Sequence, residues 1–534
     1  MGLVFLSNVL VWTFSAAEVM VWMQLNYSIT EDKKAILSSY VNESSWFKVR
    51  LLYLALSLSV IIFGRFYKKT INDVMSSLLC FVQLVMHEVS FLNRREKLLV
   101  GGIGFLFFLA LIWYSSHVYV QLDELNSWLY FVNRGALVTI AYYPSSNNHI
   151  GYNVVSMFWN HFFQPVLAIR LTSMLSALGV ICLLYVILVK RYHALLASLA
   201  ILIVMCLAPF VWYAIQGRGY VLEVFVLLLL VFLVVHKSDK KFDWSFVFVS
   251  VFALYIVPVA LIPVGLLVLT YLYVMRYDLA FVKRATLVIL STVGLSVLVY
   301  APVWIFSNAQ LLFSNSLVKQ VSWGEAPLTL ATNYYPSLWM FITGTVGLPS
   351  ILLAVSMILL SAWMMVMKRY LVLIPFMIVI VLPSLLFLVY PVLLYERTWI
   401  WLIVKMIWWL LELFVFLKAS NRFVFYAFVL GFFGLVIYSN SYKLYAVQQG
   451  AWVMEMQLNE LRAPICESGK RLKIDDDVLY TYFRYYEREC FFLVESGVKQ
   501  SEKGEWVLVP AAQFSGEEGE VICENSMGVL YKSN

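Results

Sequence analysis

The sequence predicts an all-α polytopic membrane protein of about 13 transmembrane helices, followed by a small extracytoplasmic α/β domain at the C-terminus. Hydrophobic residues make up 62% of the 534 residues, and charged residues make up only 13%. A soluble domain carries about 25% charged residues, so the apolar excess of this chain must face lipid. Lys and Arg occur in short clusters between apolar runs of roughly 20 residues, the length that crosses a bilayer.

The apolar runs define the helices in chain order. We expect helices near residues 2–24, 48–64, 98–117, 166–189, 194–212, 220–236, 244–257, 260–275, 286–304, 345–367, 371–390, 399–417 and 423–440. The segment 71–92 differs from these runs, because basic residues flank it on both sides and His87 and Glu88 lie within it. It therefore predicts an interfacial amphipathic helix on the cytoplasmic side.

The basic clusters predict the orientation of the chain. The spans alternate without conflict when these clusters are cytoplasmic, and they lie at 65–69, 93–97, 190–193, 236–241, 276–284, 368–370 and 418–422. The N-terminus is then inside and the C-terminus outside. Three long segments, 118–165, 305–344 and 441–534, lie outside the cytoplasm. The net charge of +7 comes from orienting clusters, so it does not indicate a nucleic-acid partner.

The composition changes sharply after residue 440. Four short runs rich in β-branched and aromatic residues, "VLYTYF", "CFFLVES", "EWVLVP" and "EVIC", are separated by turn signals, which predicts a small soluble α/β domain over 441–534. Three of the six cysteines, Cys466, Cys490 and Cys523, lie there. An oxidising compartment allows one disulfide with one thiol left over, and the sequence leaves the pairing open.

The first outer segment concentrates polar residues among aromatic ones. Asp123 and Glu124 stand side by side shortly after an apolar run. By position alone, acidic residues there are explained by solvation or by capping of the next helix. The same segment also holds Arg134, Asn147, Asn148, His149 and His161, and Arg170 opens the next helix. Carboxylates, a histidine and an arginine at a membrane surface indicate a candidate reaction site.

Four motifs in this order resemble those of the GT-C glycosyltransferases, in particular the bacterial branch related to the protein O-mannosyltransferases and the aminoarabinose transferase of lipid A. The motifs are an acidic pair, an "NNH" stretch, an "R-L-T-S" helix start and a "QGRGY" turn, here Asp123–Glu124, Asn147–His149, Arg170–Ser173 and Gln216–Tyr220. The resemblance covers roughly 98–440 and implies a GT-C-like catalytic domain there. Residues 1–97 (extra helices plus the interfacial helix) and 441–534 lie outside it.

The sequence departs from this family in two places. The family's "HPP" becomes His149-Ile150-Gly151, so the prolines that would stiffen that turn are missing. A basic residue in the last outer loop, which grips the lipid phosphate in relatives, is matched only loosely by Arg397 in "LLYERTWIW".

The resemblance implies transfer of a sugar from a polyprenyl-phosphate donor to an acceptor hydroxyl outside the cytoplasm. Asp123 is then expected to be the general base, and Glu124 to orient the loop or the acceptor. Arg218 and Arg397 suit the phosphate, because a guanidinium pairs bidentately with its oxygens. The remaining expected contacts to donor or substrate are Arg134, Asn148, His149, Arg170 and Tyr220. We expect the phosphate contacts to lie away from Asp123.

The same resemblance implies a multi-pass protein of the bacterial inner membrane, with a glycan, lipid or protein as acceptor and membrane lipids as further partners. No metal-ligand motif is present, so we predict no metal ligands and no definite cofactor, although some relatives place a divalent cation at the carboxylates. Two alternatives stay open: a lipid or sugar transporter (flippase), which Lys405 and Glu412 within one span favour, and an O-antigen-type polymerase or ligase.

Overall fold

A computed structural model of the chain describes residue 15 and residues 42–143, 148–235, 243–275, 281–306, 319–343, 347–368, 374, 377–389, 391–468, 472–474, 476, 479, 482–483, 494–496, 506–511 and 519–533. The helix expected near 2–24, the basic cluster at 236–241, Asn147 and Cys490 lie outside the described residues.

The helices follow one another with few breaks. In chain order they are α1 (Glu43–Phe91), α2 (Arg94–His117), α3 (Leu122–Tyr130), α4 (Ala136–Ala141), α5 (Ile150–Asn160), α6 (Pro165–Cys206), α7 (Ala208–Ile215), α8 (Tyr220–Val235), α9 (Asp243–Ile256), α10 (Leu261–Met275), α11 (Phe281–Phe306), α12 (Ala326–Thr329), α13 (Tyr335–Thr343), α14 (Gly347–Val366), α15 (Leu382–Val389), α16 (Leu402–Ser420) and α17 (Arg422–Ser468). Short 3₁₀ turns lie at Val132–Arg134 and Glu396–Trp399.

Among the described residues, five helices are long and apolar enough to cross a membrane, or six if α7 and α8 form one bent span. The expected figure of about 13 spans is not confirmed by this count. The structure joins the helix expected at 48–64 and the segment 71–92 into the single helix α1, so no boundary lies between them. Residues 71–91 of α1 pass the length and composition test for a span, and their interfacial position stays a prediction.

Contacts between Cα atoms divide the chain into two units. The first comprises Met1–Arg95, Gly135–Val154 and Phe225–Leu317, and the second comprises Glu96–Arg134, Val155–Val224 and Val318–Asn534. In the first unit, α9 packs on α1 and α11, and the buried hydroxyls of Ser77 and Ser245 lie 2.9 Å apart. A Cβ at Gly151 would lie 3.1 Å from the backbone nitrogen of Ile256. This close approach favours a glycine at residue 151.

In the second unit, α6 contains a kink at His193, whose φ of 67° is left-handed. The kink falls between the helices expected at 166–189 and 194–212. The second of these ends at Cys206, because Pro209 lacks the N–H that would continue it, and α7 follows. The side chain of Asn440 in α17 accepts a hydrogen bond from the N–H of Ala208 and thereby fixes this junction.

The C-terminal part of the second unit contains a five-stranded mixed sheet. Its strands are β3 (Leu472–Ile474), β4 (Val494–Ser496), β5 (Trp506–Pro510), β6 (Gly519–Glu524) and β7 (Gly528–Ser533). The strands β1 (Lys319–Gln320) and β2 (Val392–Leu393) form a separate two-stranded sheet earlier in the chain. The order in the five-stranded sheet is β4-β3-β5-β7-β6, with β3 parallel to both of its neighbours and the other pairs antiparallel.

The structure adds two observations on this part of the chain. The domain boundary placed at 441 falls inside α17, which continues to Ser468 before the first strand of the sheet begins. Of the three cysteines, Cys466 is disulfide-bonded and Cys523 is a free thiol.

Candidate active site

The adjacent carboxylates of Asp123 and Glu124 lie in the first turn of α3 and face different surroundings. Successive residues of an α-helix are about 100° apart around its axis, so one side chain turns into the protein when the other turns outward. Glu124 is fully buried, whereas the side chain of Asp123 is 35% exposed. The two residues therefore have separate chemical roles.

Glu124 forms a buried, bidentate ion pair with Arg170. Its Oε1 accepts from Arg170 Nε at 2.9 Å, and its Oε2 accepts from Arg170 Nη2 at 2.8 Å. Oε1 also accepts from the N–H of Gly217 at 2.6 Å, and Oε2 accepts from the N–H of Gln121 at 2.9 Å. Both oxygens of the carboxylate are thus saturated by N–H donors.

Arg170 uses every N–H of its guanidinium in this arrangement. The groups that do not bind Glu124 donate to the carbonyl oxygens of Ser115, Val118 and Tyr119. The pair therefore connects the end of α2, the start of α3, the start of α6 and the turn after α7. This is a correction to the expectation that Arg170 contacts substrate, because a buried arginine with five engaged donors has none left to offer.

The turn at Gln216–Gly219 has to approach this pair closely. A Cβ at Gly217 would lie 2.9 Å from the side chain of Ile169, which is tighter than real Cβ contacts. A glycine here lets the backbone N–H reach Glu124. The chain turns by 109° between α7 and α8, and Arg218 lies at this bend.

Asp123 lies between two arginines that are far apart in the sequence. Its Oδ2 is 3.5 Å from Nη2 of Arg218 and 3.4 Å from Nη1 of Arg397. The expectation that the phosphate-binding arginines lie away from Asp123 is therefore wrong. The three groups form one cluster with two positive charges and one negative charge.

Different elements hold the two arginines. Arg218 is buried, with 2% of its side chain exposed, and its carbonyl accepts a hydrogen bond from Ser173 Oγ at 3.0 Å. Arg397 lies in the 3₁₀ turn after β2 and is 27% exposed. The neighbouring Glu396 accepts a hydrogen bond from Ser337 in α13, which fixes this turn.

Tyrosine rings surround the arginine pair. The Arg397 guanidinium lies 4.5 Å from the ring centre of Tyr395 and 5.9 Å from that of Tyr220, and the Arg218 guanidinium lies 5.7 Å from Tyr220. The ring of Tyr213 packs edge-on against Tyr220 at 5.2 Å. Cation–π contacts of this kind hold guanidinium groups without consuming their N–H donors.

Arg397 stays charged and keeps a donor in reserve. Burial alone lowers its pKa, but the neighbouring Tyr220 and Asp123 outweigh this effect and hold the pKa above its ordinary value. Its buried Nε has no hydrogen-bond partner among the residues that the structure describes. An anionic ligand would supply that partner.

The structure shows other contacts for the remaining predicted residues. Arg134 makes local contacts, donating from Nε to the carbonyl of Leu129 at 3.1 Å and lying 5.3 Å from the ring centre of Tyr130. Asn148 and His149 belong to the other unit and are buried there. The Asn148 amide donates to the carbonyls of Thr139 and Tyr142, and its oxygen accepts from Asn153, so its contacts are structural.

Three residues of the cluster were missed by the sequence analysis: Tyr213, Tyr395 and Gly217. Gly217 lies within the Gln216–Tyr220 motif and Tyr395 within "LLYERTWIW", but the sequence analysis assigned neither a role. Tyr213 sits inside an apolar run, where nothing in the sequence distinguishes it from a core residue.

The acidic pair does not fit a divalent cation. The Glu124 oxygens are occupied by four N–H donors, and Asp123 faces two guanidinium groups, whose positive charge opposes a metal ion. Within the described part of the chain, no group of three His, Cys, Asp or Glu side chains is arranged to hold a metal.

Comparisons with known proteins give one structural similarity. No protein-family model matches the chain, and no curated protein matches it. Among solved structures, the chain is similar to apo ArnT from Cupriavidus metallidurans, with 12% identity, a TM-score of 0.45, and coverage of 81% of this chain and 98% of that chain. Because both the identity and the TM-score are low, we base the functional proposal on the side chains of this protein.

Proposed function

We propose that this protein is an integral-membrane glycosyltransferase of the GT-C type. It moves a sugar from a polyprenyl-phosphate donor to an acceptor hydroxyl on the extracytoplasmic face of a bacterial inner membrane. The observation that carries the proposal is the position of the Asp123 carboxylate between Arg218 and Arg397. A pair of arginines suits a phosphate leaving group, and a partly exposed carboxylate beside them suits a general base.

The cluster couples donor binding to activation of the base. Without donor, Asp123 is the anion that pairs with both arginines. A lipid phosphate carries more charge and more acceptor oxygens than one carboxylate, so it takes over the arginines, including the unpartnered Nε of Arg397. Asp123 is then released towards the acceptor hydroxyl.

Asp123 and the two arginines suffice for the proposed transfer step. The acceptor oxygen attacks the anomeric carbon and forms the new glycosidic bond, while its proton passes to the Asp123 carboxylate. The bond between the anomeric carbon and the phosphate oxygen breaks, and its electron pair leaves with the polyprenyl phosphate. Arg218 and Arg397 stabilise the negative charge that develops on this leaving group. Glu124 takes no part, because its oxygens are engaged with Arg170, Gly217 and Gln121.

The main feature that favoured a transporter has a structural explanation. Glu412 in α16 accepts hydrogen bonds from Arg191 at 2.7 Å, from the Tyr192 hydroxyl at 2.6 Å and from Trp408 at 3.1 Å. Lys405 lies 5.5 Å from the ring centre of Trp408. The contacts of Arg191 and Tyr192 with Glu412 link α6 to α16 near the kink at His193, so they stabilise helix packing.

The proposal is tested with the purified protein and a panel of radiolabelled polyprenyl-phosphate sugars in detergent or nanodiscs. We expect at least one member to be hydrolysed or transferred, with release of polyprenyl phosphate. Nucleotide sugars serve as the control panel and should not react. If no lipid-linked sugar reacts, while the same preparation moves a labelled lipid across a vesicle membrane, the transporter alternative replaces this proposal.

A further inference from the structure

The segment that carries the acidic pair is part of the hydrophobic core of the C-terminal sheet. The buried side chains of Tyr119 and Leu125, on either side of Asp123 and Glu124, belong to one apolar cluster with that sheet. The other buried members come from the end of α17, from the strands and from the segment between β3 and β4, among them Leu458, Leu472, Tyr482 and Leu508.

Tyr482 packs against Tyr119, in the segment that leads into the helix of the carboxylates. Its ring is 5.3 Å from that of Tyr119, and it is 2% exposed. Burial raises the pKa of Tyr482 to about 12, and the negative charges of Glu124 and Asp123 act in the same direction. Its hydroxyl is therefore protonated at physiological pH. Asp476 accepts a hydrogen bond at 2.8 Å from the N–H of Leu479, which belongs to the same core.

The helix α3 depends on such contacts for its position. It has nine residues, and a helix shorter than about 12 residues is not stable by itself in water. The ion pair of Glu124 with Arg170 fixes α3 on one side. The apolar core around Tyr119, Leu125 and Tyr482 fixes it on the other side. Arg218 and Arg397 do not belong to this core. The hydrogen bond from Gly217 to Glu124, which joins α3 to the turn of Arg218, does not involve the sheet, so we expect a change in the core to move the Asp123 carboxylate relative to the arginines.

We propose that the C-terminal sheet is a positioning element of the reaction centre, and that Tyr482 is a positioning residue that sets the place of Asp123 relative to Arg218 and Arg397. The reaction itself rests on the proposed function above. The sheet region is then required for catalysis through its packing against the segment that carries the carboxylates. A displacement of about 1 Å at a reacting group costs roughly 10²-fold in rate, so small changes in this core should be visible in turnover.

The test uses the full-length protein with Tyr482→Ala and Tyr482→Phe. We expect Tyr482→Ala to lower kcat by about 10–100-fold, and to change the Kd for polyprenyl phosphate by less than about threefold because the arginines are undisturbed. Tyr482→Phe keeps the ring and should restore most of the turnover.

The matched control is Tyr531→Ala. Tyr531 is also 2% exposed and lies in β7, but it belongs to the separate cluster formed by Val507, Val509 and Val529. The Tyr531→Ala variant should lose about as much stability as Tyr482→Ala, while the kcat of its folded fraction should stay within about twofold of the parental value. A parental kcat in Tyr482→Ala would overturn the proposal, and so would an equal loss of kcat in the control.

A second readout does not depend on transfer. Hydrogen–deuterium exchange of peptides covering 119–130 should rise in Tyr482→Ala and stay parental in Tyr531→Ala. Tyr482→Leu, which keeps apolar volume, serves if the alanine variant does not fold, and it should show the same pattern more weakly. Parental hydrogen–deuterium exchange in both Tyr482→Ala and Tyr482→Leu contradicts the positioning role. An inactive parent protein with the expected exchange pattern contradicts the proposed function and leaves the positioning role standing.

Discussion

Glu124→Gln is predicted to destabilise the protein strongly, while the same exchange at its neighbour, Asp123→Asn, is predicted to be tolerated. The Glu124 carboxylate is fully buried and accepts four hydrogen bonds, two at each oxygen. A glutamine offers one acceptor oxygen and one NH₂ group. Whichever way the amide turns, its NH₂ faces two N–H donors that lose their acceptor.

The expected magnitude follows from these contacts. Each buried donor without an acceptor costs about 1–3 kcal/mol, and a buried charge left without its partner raises the total to about 3–5 kcal/mol. The sequence analysis expects Glu124 to orient the loop or the acceptor. The saturated pair with Arg170 replaces that expectation. Asp123, which is 35% exposed, should change stability by no more than about 1 kcal/mol as Asn.

The assay is thermal unfolding of the purified variants in one detergent, followed by tryptophan fluorescence and by the monodisperse fraction after heating. Arg170→Gln should be as destabilising as Glu124→Gln. The double variant Glu124→Gln/Arg170→Gln should lose less than the sum of the two single losses, because it removes both charges together. A Glu124→Gln protein that unfolds at the parental temperature would refute the reasoning, as would strictly additive losses in the double variant.

Three further predictions concern the arginines, the turn and the topology. Arg218→Ala should weaken binding of polyprenyl phosphate by about 2–5 kcal/mol, because this arginine is desolvated. Arg397→Ala should weaken the binding less, because 27% of its side chain is exposed. Titration calorimetry measures both, and equal binding by Arg218→Ala and the parent would leave Arg218 without a role in the phosphate site. Gly217→Ala should lose about 1–3 kcal/mol of stability, because its Cβ meets Ile169. Gly101→Ala has open space around its Cβ and should be neutral or slightly stabilising. Thermal unfolding of the two variants tests this difference, and similar unfolding midpoints would contradict the packing argument. A single cysteine at the exposed Ser526 should react with an impermeant reagent in intact cells and one at the exposed Ser420 should not; the reverse pattern would place the acidic pair on the cytoplasmic side.

The sequence predicted the helical membrane class and most helix positions, because runs of apolar residues and basic clusters are local signals. It placed a break near His193, where the basic cluster interrupts two apolar runs. It did not predict the single helix α1, because the polar residues at 65–69 were taken as an end although they are compatible with a helix. The extension of α17 beyond 441 was missed for the same reason.

The candidate site was predicted in part. Asp123, Arg218, Tyr220 and Arg397 were chosen from motifs, and the structure brings these four together. Their contacts could not be predicted, because residues 123 and 397 meet only through the tertiary fold. The contacts of Arg170 with Glu124 and three carbonyl oxygens likewise could not be predicted, since no motif distinguishes an arginine in a buried structural ion pair from one that binds a ligand.

The most direct test of the central claim compares Asp123→Asn with the parent protein, in sugar transfer and in binding of polyprenyl phosphate. If Asp123 is the base, transfer should fall by about 10²–10⁴-fold. Because the carboxylate competes with phosphate for Arg218 and Arg397, the Kd for polyprenyl phosphate should stay the same or become up to about tenfold tighter. The exchange of an exposed carboxylate in the same unit, Glu325→Gln, should change neither value. Transfer at the parental rate by Asp123→Asn would contradict the assignment of the base, and weaker binding of polyprenyl phosphate would contradict the shared arginine site.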